Sequence, residues 1–404
     1  MAEPKSNTGG NARAGSSRET VDLIDELRLR LVWRWTIPTV SAPHVRDANS
    51  IDRLLNRFII ATLPCWLIGM WNLGEQIAVG MHIAGIDNLP GWRAALIEGI
   101  GLSIDPESLV SNWLHGFLYF LPVFLTALIV GAFWEIVFAA RRGRPLDEGV
   151  LCIAWIFALI LPPTVTFFQV VYGMTAAMIV GKAVFGGTGR YLVSPVILGV
   201  CILFFSYSSV LHGPDVWIPL PGYQEPTTLE LAILEGGVPA LTAVDYSWWL
   251  LFVGNQPGPF GVTSVLGCLL GAVYLLATGS ASWRIMAGSL AGLIISVVLI
   301  ALIAPADQAA LQTPWYWHVV LGGWAFGTVF LATDPTAAAT TRPGRWAFGF
   351  LMGVVTIIVR LTNPAYFEGV IFAILLASTF APLCDHFVVE RNIKRRQARL
   401  EREP

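Results

Sequence analysis

Three carboxylates interrupt otherwise apolar sequence: Glu135 after Phe133-Trp134, Asp334 between Thr333 and Pro335, and Asp385 after Leu383-Cys384. A charge within hydrocarbon is expensive, and ionisable residues kept there mark ion paths, proton relays or substrate sites. Carboxylates and backbone carbonyls bind hard cations such as Na⁺. The same acids relay protons, so residue type leaves the ion open. Asp334 belongs to the second of two matched breaks. The first reads Phe185-Gly186-Gly187-Thr188-Gly189, then Ser194-Pro195; the second reads Phe326-Gly327, then Thr333-Asp334-Pro335, about 140 residues later. Interrupted segments at equivalent places in two halves of a membrane chain point to a binding site near mid-membrane. Glu75, Lys182, Arg360 and Glu368 also lie in or beside apolar runs. For Lys182 and Arg360 the simplest expectation is snorkelling to the headgroups.

Other chemistries lack their residues. Gly186-Gly187-Thr188-Gly189 has neither the spacing nor the strand–helix context of a dinucleotide fingerprint, and no P-loop, HExxH or GxSxG occurs. The six histidines (His44, His82, His115, His212, His318, His386) are far apart, without ligand spacing. Cys65, Cys152, Cys201, Cys268 and Cys384 form no CxxC pair and read as small buried hydrophobes. Trp315, Tyr316, Trp317 and His318 open an apolar run as an interfacial belt does.

The elements that position the acids are membrane helices. The chain has 404 residues, 55% hydrophobic and only 13% charged. Apolar runs of spanning length fall near 57–83, 113–140, 150–162, 164–183, 195–211, 262–280, 284–304, 315–333, 346–361 and 367–386, about ten in all. Those at 150–162 and 346–361 are short, as broken helices in a bundle permit. A soluble helical core needs no such runs, and a barrel requires alternation that is absent. Basic residues follow every even-numbered run: Arg141, Arg142 and Arg144; Arg190; Arg284; Arg342 and Arg345; Lys394, Arg395, Arg396 and Arg399. The odd-numbered exits hold almost none. The positive-inside rule therefore predicts that both termini are cytoplasmic.

Residues 1–19 are Ser-, Gly-, Asn- and Ala-rich and predict disorder; Leu23, Leu27, Leu31 and Trp35 then form one helical stripe. No apolar segment of a cleavable signal is present in residues 1–20. Gly131-Ala132 matches Gly271-Ala272 at the offset of the two breaks. Two halves of about five spans each predict an inverted repeat, with the breaks on opposite sides of a central pathway. The expected fold is thus an all-α integral membrane protein with about ten transmembrane helices in two inverted five-helix repeats with broken helices. Its parts are a cytoplasmic segment 1–56, a first membrane repeat 57–211, an outward-facing loop 212–261, a second repeat 262–386 and a basic cytoplasmic tail 387–404.

Several stretches carry a family likeness: FWEIVFA, VFGGTGR, FVGNQPGPFGVTS, SWRIM, PWYWHVVLGGWAFGTVFLATDP, NPAYFEG and FAPLCDHFVVERNIKRR. They span most of 113–397. The chain resembles the family shared by the B subunits of bacterial Na⁺-translocating NADH:quinone reductases and the D subunits of Rnf ferredoxin:NAD⁺ complexes, and is closer to the former. The resemblance implies a ten-span core subunit of a six-subunit complex in the bacterial inner membrane. NADH is oxidised in a partner subunit, and electrons pass through flavins and iron–sulfur centres to ubiquinone while Na⁺ is exported. It implies FMN joined through a phosphoester to a threonine of the outward-facing loop, a riboflavin, and a share of the quinone site. The family's attachment motif is roughly Asp-Gly-(Phe/Tyr)-Ser-Gly-Ala-Thr. Here the matching stretch is Pro221-Gly222-Tyr223-Gln224-Glu225-Pro226-Thr227, so Thr227 is the candidate, with Thr228 beside it. Only Gly222, Tyr223 and Thr227 agree, and Glu225 brings negative charge near the expected phosphate. Glu135 and Asp385 match acids implicated in Na⁺ handling, and Asp334 the acid of the Ala-Thr-Asp-Pro break. Gly131 and Ala132 fall where the family has a Gly-Gly pair near the quinone, Ala132 being a departure. A flavin-free channel or transporter, and an Rnf-type subunit, are the competing expectations.

Overall fold

A computed structural model describes residues 50–400 except 87, 88, 90, 144, 145, 148, 212, 306, 307 and 364–367. The polar stretch 1–19, the stripe Leu23–Trp35, His44, His212 and Arg144 therefore lie outside the described residues.

Every regular element described is helical. Five helices are long and apolar enough to cross a membrane: α1 (Ile51–Ala84), α3 (Leu109–Arg142), α11 (Trp283–Ile303), α14 (Arg342–Thr362) and α15 (Val370–Leu400). The short α2 (Trp92–Gly99) lies between α1 and α3. The remaining expected spans are shorter or broken: α4 (Val150–Ile160), α5 (Phe167–Ala176), α6 (Pro195–Ser206), α10 (Val265–Ala277), and the pair α12 (Trp315–Val320) and α13 (Trp324–Phe326). Between α6 and α10 lie the four-residue helix Ser208–Leu211 and three further short helices, α7 (Thr228–Leu234), α8 (Val238–Ala243) and α9 (Trp248–Val253). Ser50 caps α1 by accepting from the Arg53 amide, and Gly85, at φ 66°, ends it in the left-handed region where a Cβ is penalised.

Contacts fix the direction of each crossing. Arg57, near the start of α1, donates to the Thr278 carbonyl (3.3 Å) and to Ser280 Oγ (3.2 Å) just past α10. Cys65 and Cys268 lie 3.7 Å apart further along, so α1 and α10 are antiparallel. The two halves thus enter the bundle in opposite senses. The end holding residues 50–57 and 278–284 is called face one below, and the opposite end face two. Closest packing relies on glycine: Gly74 sits against the Asn112 backbone and Gly116 against Met70, while Gly288, Gly292, Gly349 and Gly353 let α11 and α14 run side by side. Small residues four apart are the usual means of close helix approach in lipid, where no hydrophobic effect drives association.

Both matched breaks are present. A π-helical turn, Ala177–Ala183, follows α5 and leads into Gly186-Gly187; a second, Gly327–Leu331, follows α13 and leads into Asp334-Pro335. Such turns leave the regular hydrogen-bond ladder and recur at functional sites. Their placement corrects the expected geometry. The matched stretches lie four crossings apart, and an even number restores the direction of the chain. Both breaks therefore emerge at face one rather than on opposite sides of a pathway. The Tyr191 hydroxyl donates to Asp334 Oδ2 at 3.5 Å, and Tyr191, Ser194, Pro195, Asp334 and Pro335 line one cavity of about 30 Å³. The opposed sense of the halves rests on α1 and α10, not on the residue matches.

A third irregular segment was not legible as such. Residues 254–264 turn in from face two to the middle of α1, where a Cβ on Gly69 would collide with the Phe260 carbonyl. The Gly261 amide donates to the Leu159 carbonyl (2.8 Å) at the end of the half-length α4. Irregular backbone at this depth is tolerated where protein satisfies it.

Candidate ion and flavin sites

Glu135 lies one turn beyond Gly131 on α3, facing the first π turn. Lys182 Nζ is 2.8 Å from Glu135 Oε2 and 3.7 Å from Asp147 Oδ2, and its side chain is only 2% exposed. The Asp147 amide donates to Glu135 Oε1 at 3.0 Å, and the Thr188 amide donates to Asp147 Oδ2. Lys182 therefore does not snorkel; it is folded inward as the counter-charge of two acids. Arg142, Arg190, Gly186 and Gly187 complete the wall of a cavity of about 380 Å³ that this triad lines. Gly131 packs against Met174 and Val150, whereas Ala132 is half-buried.

Asp334 is braced within its own turn. Its Oδ1 accepts from the Thr336 amide (3.0 Å) and hydroxyl (2.6 Å). Asp385, on α15, accepts four bonds: from the amide and hydroxyl of Thr340 (2.7 and 2.8 Å) and from those of Thr341. The two acids grip opposite ends of the segment 335–341 that joins the second break to α14. The structure does not gather Glu135, Asp334 and Asp385 into one ligand shell; among the described residues no group of three or more His, Cys, Asp or Glu is placed to hold a metal ion.

Face two carries the loop expected to bear flavin. Thr227 caps α7: its Oγ1 accepts from the Glu230 amide at 3.1 Å. It is half-buried and lines an apolar cavity of about 80 Å³ that reaches Phe326 and Gly327 of the broken eighth crossing. Thr228 differs. It is 2% exposed, and its hydroxyl donates to Gln256 Oε1. Of the two threonines, Thr227 lines the cavity, whereas the Thr228 hydroxyl is held in a buried bond. Glu225 stands apart from that cavity. Its Oε2 and Oε1 accept from the hydroxyls of Tyr223 (3.0 Å) and Tyr246 (2.8 Å). Burial first, then Glu225, pushes the Tyr223 phenol up to about 12, and the same two causes raise Tyr246. The acids facing the cavity are Glu230 and Glu368 instead.

Two polar groups of this region carried no sequence motif that assigned them. Arg360 is fully buried, and its guanidinium donates to the carbonyls of His318 (2.8 Å) and Leu321 (2.9 Å) at the end of α12. Like Lys182 it does not reach for headgroups; it satisfies carbonyls that the break leaves free. Glu368 Oε2 accepts from the Gly323 amide at 3.2 Å, holding the other side of the same gap. Asn72, Glu75, Gln76, Asn255 and Gln256 form a second network, in which Gln76 donates to Asn255 (2.6 Å) and Asn255 to Glu75 (3.3 Å). Asn72 and Gln76 within an apolar helix were the available signal.

Comparison with known proteins accords with this arrangement. Residues 38–394 match the NQR2, RnfD, RnfE family. The B subunit of the Na(+)-translocating NADH-quinone reductase of Chromohalobacter salexigens is 43% identical over 365 residues, covering 89% of this chain and 87% of the relative. The proteins of the same name from Azotobacter vinelandii and Pseudomonas aeruginosa are each 42% identical over 365 residues, covering 89% of this chain and 90% of theirs. The match of residues 38–394 to the family model, with 42–43% identity over 87–90% of these relatives, places the chain in the NQR2, RnfD, RnfE family.

Proposed function

We propose that this chain is the membrane subunit of a bacterial redox-driven sodium pump. NADH is oxidised in a partner subunit, electrons pass by way of flavin to ubiquinone, and Na⁺ is exported. Identity above 40% to B subunits across 89% of the chain supports this over an Rnf-type assignment. The observation that carries the redox role is Thr227, half-buried on the wall of an apolar cavity while Thr228 is locked in a buried bond.

Thr227 could anchor an FMN phosphoester, since it lines the cavity and the Glu225 carboxylate is engaged by Tyr223 and Tyr246. Bound there, FMN supplies the step that accepts electrons and passes them on. Thr227 would anchor the group; Glu230 and Glu368, the latter beside the Arg360 guanidinium, line the cavity, and Trp217, Phe204 and Phe372 form its apolar part. Riboflavin and ubiquinone complete the expected set, with Gly131 and Ala132 in the quinone pocket. Glu135, Asp334 and Asp385 form the ion path at face one, which is cytoplasmic together with both termini. Six subunits and an inner-membrane location complete the proposal, with 212–261 as the outward-facing segment between repeats 57–211 and 262–386. Transport follows only if Na⁺ affinity differs between the flavin's redox states.

The test is in-gel flavin fluorescence under ultraviolet light after denaturation of the purified complex. A band at this subunit that disappears in Thr227→Ala and survives in Thr228→Ser supports the assignment. No band in the wild-type chain, or one that persists in Thr227→Ala, removes covalent flavin from Thr227.

A further inference from the structure

Gln256 is 3% exposed and uses every polar group it has. Its backbone is clamped by Asn72 of α1: Asn72 Nδ2 donates to the Gln256 carbonyl (2.8 Å), and the Gln256 amide donates to Asn72 Oδ1 (3.2 Å). Its side-chain Nε2 donates to the Thr263 carbonyl (2.8 Å) and to that of Val320 (3.3 Å). Its Oε1 accepts from Thr228. Val320 ends α12, at the gap that Arg360 and Glu368 hold open, and Thr228 begins α7 beside Thr227. One buried carboxamide thus joins the helix bearing the candidate flavin threonine to the broken eighth crossing.

We infer that Gln256 is a positioning residue that, through Thr228, fixes Thr227 on the cavity wall and ties that position to the gap after Val320. The inference rests on flavin attachment at Thr227. Few side chains serve the purpose: the group must accept one bond and donate two while remaining neutral in a buried site. An amide does so; a carboxylate cannot donate, and a thioether cannot donate and accepts only weakly. A displacement of α7 on flavin reduction would then be felt at the Val320–Gly323 gap, because the bonds on both sides share one planar group.

The experiment uses the purified whole complex carrying Thr228→Val, Thr228→Ser, Gln256→Glu or Gln256→Met, with Thr227→Ala as control. Three quantities are read: subunit content by protein stain, covalent flavin fluorescence per subunit, and the Na⁺ concentration giving half-maximal quinone reduction. Thr228→Val is expected to lower fluorescence per assembled subunit severalfold, with Thr228→Ser restoring it. Gln256→Glu and Gln256→Met are expected to raise half-saturating Na⁺ in complexes that retain flavin, a change that a role confined to folding would not produce. Should Thr228→Val fail to accumulate, the two Gln256 variants carry the test alone. Assembled variants with full fluorescence and an unchanged Na⁺ response overturn the inference while Thr227→Ala still loses its band. If the Thr227→Ala band persists, the flavin assignment fails, and the inference with it.

Discussion

Replacing Lys182 by Met should be the most damaging single change at face one, and the structure says why the effect is asymmetric. Lys182 is 2% exposed and bridges Glu135 at 2.8 Å and Asp147 at 3.7 Å. Lys182→Met keeps the volume but leaves two carboxylates facing one another, with Glu135 only 11% exposed. Breaking a buried pair in this way costs about 3–5 kcal/mol. Glu135→Gln is milder, because Lys182 retains Asp147 and the amide still accepts from the Asp147 backbone; loss of one bond to a charged group costs about 1.5–3 kcal/mol. The double variant Lys182→Met/Glu135→Gln should fall below the sum of the singles, since residues in direct contact couple by about 0.5–3 kcal/mol. The assay is a double-mutant cycle on the purified complex, using the temperature at which this subunit loses its fold, with protein content as control. A Glu135→Gln penalty equal to that of Lys182→Met, or strict additivity, would refute the argument that the ammonium is the shared counter-charge.

Asp385→Ala removes four acceptor bonds from Thr340 and Thr341 and frees the segment 335–341. It should raise the Na⁺ needed for half-maximal quinone reduction; an assembled complex with an unchanged Na⁺ response would exclude the acid from ion uptake. Gly353→Leu would drive a side chain into the Ser289 backbone of α11, with an overpacking cost of about 1–3 kcal/mol or more, visible as lost yield or a lower melting temperature; an undisturbed complex would contradict the close packing of α11 on α14. The phenols of Tyr223 and Tyr246 stay neutral beyond the usual tyrosine range. Because their folded values are raised, their contribution to stability is present below pH about 10 and is lost as pH climbs toward the folded value of about 12 for Tyr223. Glu225→Gln should lower both titrations in tyrosinate absorbance; unchanged titrations would show that the carboxylate does not face the phenols.

The helical membrane character, the number of apolar runs and the two breaks were legible because each depends on local composition. Proline at 195 and 335 and the Gly186-Gly187 pair disfavour an unbroken helix and sit among other turn residues, unlike the lone Pro64, Pro122 and Pro382 that the long helices absorb. The same local rule failed for Lys182 and Arg360. Snorkelling is a statement about an isolated helix, whereas in the bundle each basic group found an inward partner: two carboxylates for one, two carbonyls of a broken helix for the other. Periodicity gave no signal for 254–264, because a re-entrant segment has no repeat to read.

From the residues alone came the family likeness, the candidate threonine and the three acids, since these are matters of identity and spacing along one chain. Tertiary structure decided which threonine has a free place at a cavity, that Glu225 is turned to tyrosines, and that the two breaks meet at one face. It also made Lys182 and Gln256 central. Those outcomes depend on partners far away along the chain, brought together only when the crossings pack, and no pattern of neighbouring residues encodes such distances.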